Sequence, residues 1–239
     1  MSVLDSGADI VDIGAVSTRP GAEDVPEEEE WRRLRPVLQE LDGNIEVSID
    51  TVRSSTVRRA ADLLRRKFTV NDISAGEDDA SMLATVAELG LGYVAMHKRG
   101  TPATMQRLCD YCDVVNDVKD YFMTFSKKAE EAGVGEWILD PGFGFAKTVE
   151  QNYRLLESLQ EFSGFGRPLL VGISRKSFIY KPLGVGPEDA LSATQALHMA
   201  ALERGADILR VHDVEAAREI VKLYRMLSVS DSPDIEVNP

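Results

Sequence analysis

Cysteine and histidine are scarce in this sequence, which has two cysteines and three histidines among 239 residues. So few thiols exclude the disulfide-rich scaffold of small secreted domains. The pair Cys109 and Cys112 has C-x-x-C spacing, which suits a redox pair or half of a zinc site. No second Cys or His pair follows at ligand spacing. We therefore predict two unconnected thiols that lie on a helix.

Basic residues and long apolar runs are also in short supply. The chain carries 27 Lys and Arg against 40 Asp and Glu, a formal net charge of −13. That balance opposes binding to nucleic acid, which requires clustered cations. No apolar run approaches the roughly 20 residues needed to span a bilayer, and the first residues do not resemble a secretory signal. We expect a soluble, cytoplasmic protein with neither nucleic acid nor membrane as a partner.

What the sequence does have is a regular alternation of short apolar runs with amphipathic ones. The hydrophobic content of 44% is sufficient for one large core. Predicted strands are Ile10–Ala15, Glu46–Thr51, Thr69–Ser74, Tyr93–His97, Trp137–Gly142, Pro168–Ser174 and Ile208–Asp213. Predicted helices are Pro26–Leu41, Ser54–Arg66, Ala80–Leu89, Thr104–Ala132, Thr148–Phe162, Pro187–Arg204 and Val214–Met226. This order predicts an α/β fold with parallel strands and crossover helices.

Seven strands are one fewer than a (β/α)8 TIM barrel contains. The segment Ser6–Ile10 is similar to Arg204–Ile208, where a helix ends at glycine and a strand begins. Residues 1–5 therefore resemble the tail of a helix. We expect a TIM barrel whose first strand is missing from this chain, with residues 1–228 as a single domain and residues 229–239 as a C-terminal tail.

The stretch Trp137–Lys147 predicts the centre of a site. A short apolar run ends in Asp140, and a Pro-Gly pair and a second glycine, Gly144, follow. Glycine permits close approaches that other residues prevent. Further polar residues lie at the predicted strand ends, where parallel barrels collect their active sites: Asp12, Asp50, Asn71, His97, Ser174 and His212. Carboxylates and amides there suit a flat heterocycle, and the basic and hydroxyl residues beyond them suit a phosphate or diphosphate.

Several of these polar residues also have a purely structural interpretation. Asp12 and Asp213 are compatible with capping or ion pairing in the fold. His97 is compatible with a hydrogen-bonded core residue, and His198, in the middle of a predicted helix, is interpreted as one.

Seven ordered segments together resemble the dihydropteroate synthase family over nearly the whole chain. They are DIGAVSTRPGA (12–22), SIDT (48–51), VNDISAG (70–76), MHKRGTP (96–102), DPGFGFAK (140–147), LVGISRKSF (170–178) and ILRVHD (208–213). The resemblance implies a condensation of 6-hydroxymethyl-7,8-dihydropterin diphosphate with p-aminobenzoate, which gives 7,8-dihydropteroate and diphosphate for folate synthesis.

The resemblance also implies roles for individual residues. Positions matching Asp50, Asn71, Asp140 and Lys176 hold the pterin. The aminobenzoate and diphosphate side is implied to comprise Ser17, Thr18, Arg19, Pro20, Phe145, Ser177, Arg210 and His212. Lys176, Arg210 and His212 are the expected catalytic residues. Mg2+ and a homodimer are also implied, with no metal ligand in this chain, because the family's asparagine ligand belongs to an NVTPDSF-type segment expected before residue 1.

The chain departs from the family pattern in places. Ala15 and Val16 stand where Gly and Glu are usual, and Lys98 stands in place of a common apolar residue. Two other functions are compatible with the sequence. One is a non-catalytic paralogue that binds pterin, and the other is a pterin-binding methyltransferase with a corrinoid partner. The SRKS, STRPG and RVHD segments favour the synthase, because a methyltransferase does not require sites for diphosphate and aminobenzoate.

Overall fold

The computed structural model describes residues 6–17, 25–101 and 104–229. Its strands are β1 (Ile10–Gly14), β2 (Glu46–Asp50), β3 (Thr69–Asp72), β4 (Gly92–Met96), β5 (Trp137–Asp140), β6 (Leu170–Val171) and β7 (Ile208–Leu209). Its α-helices are α1 (Glu27–Gln39), α2 (Ser54–Leu64), α3 (Met82–Leu89), α4 (Val114–Ala132), α5 (Val149–Glu157), α6 (Ser177–Leu183), α7 (Leu191–Glu203) and α8 (Val214–Val229). Short 3-10 helices cover Met105–Arg107, Leu159–Phe165 and Pro187–Asp189.

The strands follow the chain in spatial order, and every pair is parallel. Strands β1 to β5 form one sheet, β6 pairs with β7, and a single bridge between Leu139 and Leu169 joins the two groups. All seven predicted strands exist, and consecutive parallel pairing through crossover helices is the arrangement of a TIM barrel. Strands β6 and β7 are two residues each, shorter than predicted. Within the described residues, β7 and β1 do not pair with each other.

The helix predictions need two corrections. Thr104–Ala132 is not one helix, because α4 begins only at Val114, where the Asp113 side chain accepts hydrogen bonds from the amides of Val115 and Asn116. Cys109 and Cys112 therefore lie in the loop before α4, and their predicted helical position is wrong. Helix α6 was not predicted, since Pro182 interrupts its pattern.

The core lies between the sheet and the helices that cover it. Ile49, Val70, Tyr93 and Val171 are each fully buried in their strands, as expected for a parallel sheet covered by helices. Gly7 and Gly205 both have positive φ, 82° and 92°, in agreement with the similarity of their two segments. The packed core holds the carboxyl ends of the strands together at one end of the barrel, its mouth. No helix in the described ranges has both the length and the apolar composition needed to cross a bilayer.

Candidate active site

Three neighbouring strands bring polar side chains together at the mouth. Asp12 lies on β1, Asp50 ends β2, and Asn71 lies beside Asp50 on β3. The Asn71 Nδ2 donates to Asp12 Oδ2 at 3.1 Å. Gly14 pairs with Asp50 in the ladder, and a Cβ added there would lie 3.0 Å from Asp50 Cβ. A small residue at position 14 therefore leaves the Asp50 carboxylate its space.

Arg210, just beyond β7, reaches across to two of these carboxylates. Its Nε donates to Asp12 Oδ2 at 2.8 Å, and its Nη2 lies 2.7 Å from the same oxygen. The Nη2 also donates to Asp50 Oδ2 at 2.8 Å. One guanidinium thus connects the ends of β7, β1 and β2.

The Asp50 carboxyl has a strongly perturbed acidity. Burial and the neighbouring charge of Asp12 raise its pKa to about 7, although Arg210 acts in the opposite direction. A carboxyl group with such a pKa changes its charge near neutral pH, which is typical of a functional site.

On the other side of the mouth, Asp140 and Lys176 lie close enough for their charges to influence each other. Asp140 is only 5% exposed, and its Oδ1 accepts the amide hydrogen of Gly142 at 2.8 Å. Burial raises the pKa of Asp140, while the charge of Lys176 opposes the rise. Lys176 donates to the carbonyl of Phe143, and its Nζ lies 4.9 Å from the centre of the Phe145 ring. Burial lowers the pKa of Lys176 to about 8, against the attraction of Asp140.

The loop that carries these contacts is built on a glycine. Gly142 has φ 72°, and a Cβ there would lie 1.9 Å from the carbonyl oxygen of His97. Lys147 stabilises the loop through its Nζ atom, which donates to the carbonyls of Gly142 and Phe145 at 2.9 and 3.1 Å. The same atom lies 3.0 Å from His97 Nδ1. Burial lowers the pKa of Lys147 to about 7. Lys147 ends one of the seven family-like segments, but the sequence pattern did not predict this contact.

The structural interpretations of His97, Asp213 and His198 agree with the contacts seen. His97 is buried and packs edge-on against Tyr121 at 4.9 Å between ring centres. Asp213 forms a two-pronged ion pair with Arg175, at 2.8 and 2.9 Å. His198 is fully buried within α7, where its Nδ1 lies 3.2 Å from Gln195 Oε1 but its Nε2 has no hydrogen-bond partner among the described residues.

The remaining predicted residues that the structure describes lie at other strand ends and in the loops that follow them. The His212 amide and Nδ1 both contact Ser174 Oγ, at 3.2 and 3.1 Å. Ser17 is exposed after β1, and Ser177 is exposed as the first residue of α6. Phe145 packs in a small apolar cluster with Ile73 and Met96. Thr18, Arg19 and Pro20 lie outside the described residues.

Taken together, the mouth presents acceptors and cations side by side. Asp50, Asn71 and Asp140 supply acceptors on the strands, whereas Lys176 and Arg210 supply positive charge beside them. Within the described part of the chain, no group of three or more His, Cys, Asp or Glu is arranged to hold a metal ion.

The chain is similar to known proteins over most of its length. The family of pterin binding enzymes matches residues 1–212. A dihydropteroate synthase from a Synechocystis species is 44% identical over 227 residues, which cover 93% of this chain and 78% of the relative.

Two solved structures are similar over the same extent. The Thermus thermophilus dihydropteroate synthase in complex with 4-aminobenzoate has a TM-score of 0.86 and 41% identity, covering 94% of this chain and 86% of that one. The Yersinia pestis enzyme with a sulfonamide drug has a TM-score of 0.89 and 35% identity, covering 94% and 82%. The strand-end carboxylates, the amide, the lysine and the arginine thus occur in a chain that belongs to the dihydropteroate synthase family.

Proposed function

We propose that the mouth of the barrel binds 6-hydroxymethyl-7,8-dihydropterin diphosphate and joins its pterin methylene to p-aminobenzoate. The observation that supports this assignment is that buried acceptors and cations lie side by side in the site. The buried carboxylate of Asp140 feels the charge of Lys176 on one side, and Arg210 lies between Asp12 and Asp50 on the other. Such a site offers acceptors to an aminopyrimidine and cations to a diphosphate.

The pterin ring would be recognised by its hydrogen-bonding edge. Asp140 accepts two N–H bonds from the aminopyrimidine, while Asp50 and Asn71 pair with the remaining ring groups. Lys176, fixed by the carbonyl of Phe143, donates to a ring acceptor. Because these acceptors are largely buried, a ligand without matching donors would leave them unpaired, and that gives the site its selectivity.

The reaction exchanges one bond to the methylene carbon for another. The C–O bond breaks first, its electron pair leaves with the diphosphate, and the electron-rich pterin ring shares the positive charge. The amine lone pair of p-aminobenzoate then forms the C–N bond, and the nitrogen loses a proton to solvent. An arylamine is already nucleophilic, so the main catalytic demand is stabilisation of the departing diphosphate by Arg210 and His212.

The second substrate would lie against Phe145, at the outer side of the pterin. Phe145 supplies an aromatic face next to Lys176. Ser17 and Ser177 are both exposed, and Thr18, Arg19 and Pro20 complete the proposed subsite outside the described residues. The 4-aminobenzoate bound to the Thermus thermophilus enzyme supports a place for such a ligand in this fold.

Mg2+, a homodimer and a cytoplasmic location remain part of the proposal. Mg2+ commonly binds through substrate phosphates and only one or two protein groups. The described residues do not by themselves form a cage of His, Cys, Asp or Glu side chains for the ion. The match to synthases across 93% of the chain favours this reaction over methyl transfer.

The direct test is product formation from the pterin diphosphate and labelled p-aminobenzoate. Lys176→Ala should weaken pterin binding by about tenfold or more, because it removes a charge-assisted hydrogen bond. Arg210→Ala should lower kcat by about 100-fold or more, because it removes positive charge from the leaving group.

The two variants should fail by different routes, which calorimetry with the pterin lacking its diphosphate would separate. Lys119→Ala is a matched control, since Lys119 pairs with Glu161 on the helical surface. Unchanged kinetics in either site variant would refute the assigned roles. Pterin binding without turnover in the wild type would instead support a non-catalytic paralogue.

A further inference from the structure

We propose that Asp12 is a positioning residue, which holds Asn71 and Arg210 in the orientations that the pterin diphosphate requires. This inference rests on the proposed function of the site. Its basis is one oxygen atom, Oδ2 of Asp12, which accepts from both side chains at 3.1 and 2.8 Å.

The first consequence concerns the direction of the Asn71 amide. A carboxylate only accepts hydrogen bonds, so the nitrogen of the amide must face Asp12. The amide oxygen is then the atom left for a ring N–H of the ligand. Without the Asp12 carboxylate, the amide can turn over and present donors where the ligand also has donors.

The second consequence concerns Arg210, which two carboxylates share. Asp50 is also needed by the pterin, so the ring would draw on the carboxylate that accepts from Arg210 Nη2. Asp12 is not among the residues proposed to bind the pterin, and its Oδ2 accepts a hydrogen bond from Arg210 Nε. The Nη2 of Arg210 lies 2.7 Å from the same oxygen. Asp12 therefore keeps the Arg210 guanidinium beside the site when the pterin ring binds.

If Asp12 were neutral, Asp50 would be the remaining carboxylate for Arg210. The guanidinium and the ring would then compete for the same oxygen atoms. A residue that touches neither substrate would in this way change the affinity for one of them.

The other carboxylate oxygen of Asp12 distinguishes it from an ordinary packing residue. Its Oδ1 atom is buried and has no hydrogen-bond partner among the described residues. An unpaired buried carboxylate oxygen is unfavourable for folding. A carboxylate kept under that cost is more consistent with a role in the site than with packing alone.

The test is calorimetry with 6-hydroxymethyl-7,8-dihydropterin diphosphate on the full chain and on Asp12→Asn. The variant keeps the shape and removes the charge, and we expect about tenfold weaker binding. The KM for p-aminobenzoate should stay unchanged. Asp9→Asn is the matched control, because Asp9 is exposed just before the start of the same strand, and the affinity of this variant should equal that of the wild type.

A double-mutant cycle separates positioning from a general structural effect. If Asp12 acts through Arg210 and Asn71, its substitution should have little further effect on pterin binding in an Arg210→Gln, Asn71→Ala background. Fully additive losses would overturn the proposal, as would equal affinity in Asp12→Asn and wild type. Should Asp12→Asn not fold, Asp12→Ser replaces it in the same cycle. Absence of pterin binding in the wild type would instead refute the proposed function.

Discussion

Replacing Gly142 by alanine tests whether the loop after β5 depends on a contact that only glycine allows. Two effects add at this position. The positive φ of 72° disfavours any residue with a Cβ, by about 1–2 kcal/mol. The new Cβ would also lie 1.9 Å from the carbonyl oxygen of His97, which is backbone and cannot simply rotate away. Overpacking of this kind costs about 1–3 kcal/mol, so we expect Gly142→Ala to lose about 3 kcal/mol of unfolding free energy.

The same substitution should damage activity beyond its effect on folding. The loop supplies the Phe143 carbonyl that receives Lys176 and the Phe145 ring beside it. A displacement of about 1 Å in such a positioning segment can lower the rate by about 100-fold. Urea denaturation and kcat/KM, measured under conditions where the variant is folded, give the two quantities separately.

Two other glycines separate the contributions of φ and of the clash. Gly166 has φ 59° but nothing within 4 Å of an added Cβ, so alanine there should cost only the backbone term. Gly135 likewise has open space, and its φ is not among the positive ones, so alanine there should be neutral or slightly stabilising. If Gly142→Ala is no worse than Gly166→Ala, or if it leaves kcat/KM unchanged, the argument from the His97 contact is wrong.

Two further predictions concern stability. Burial raises the pKa of Asp50 from 3.8 to about 7. The folded protein therefore holds this proton more tightly than the unfolded chain, and the free energy of unfolding should fall as the pH rises from about 4 to about 7. Asp50→Asn should therefore be more stable than wild type at about pH 8 and equal to it at about pH 4, while pterin binding is lost. Urea denaturation across this pH range checks the trend, and a difference in stability that does not depend on pH would contradict it. Thr148→Ala should lose about 1 kcal/mol with kcat retained, because Thr148 and Gln151 form a reciprocal cap at the start of α5; an unchanged denaturation midpoint would show that the cap is not needed.

The sequence was sufficient to predict what depends on local pattern. The seven strands follow from apolar runs ended by polar residues, and the strand-end carboxylates follow from the topology of parallel sheets. The helix over Thr104–Ala132 failed, because the pattern alone does not reveal that Asp113 starts a new helix by capping it. Helix α6 was missed because Pro182 and the following Gly184 look like a loop.

Contacts between distant residues could not be predicted in this way. Arg210 and Asp12 are separated by 198 positions, and no local pattern indicates that they pair. The role of Lys147 was hidden for a different reason. Two of its partners are main-chain carbonyls of its own loop, whose positions depend on the positive φ of Gly142.

Main-chain anchoring of the two lysines has an evolutionary consequence. Lys176 donates to the carbonyl of residue 143, and Lys147 donates to those of residues 142 and 145. Every amino acid supplies the same carbonyl, so the side chains at 143 and 145 can mutate without removing either acceptor. Selection by competing ligands can therefore change the Phe145 side chain while Lys176, the cation proposed to meet the pterin, keeps its attachment.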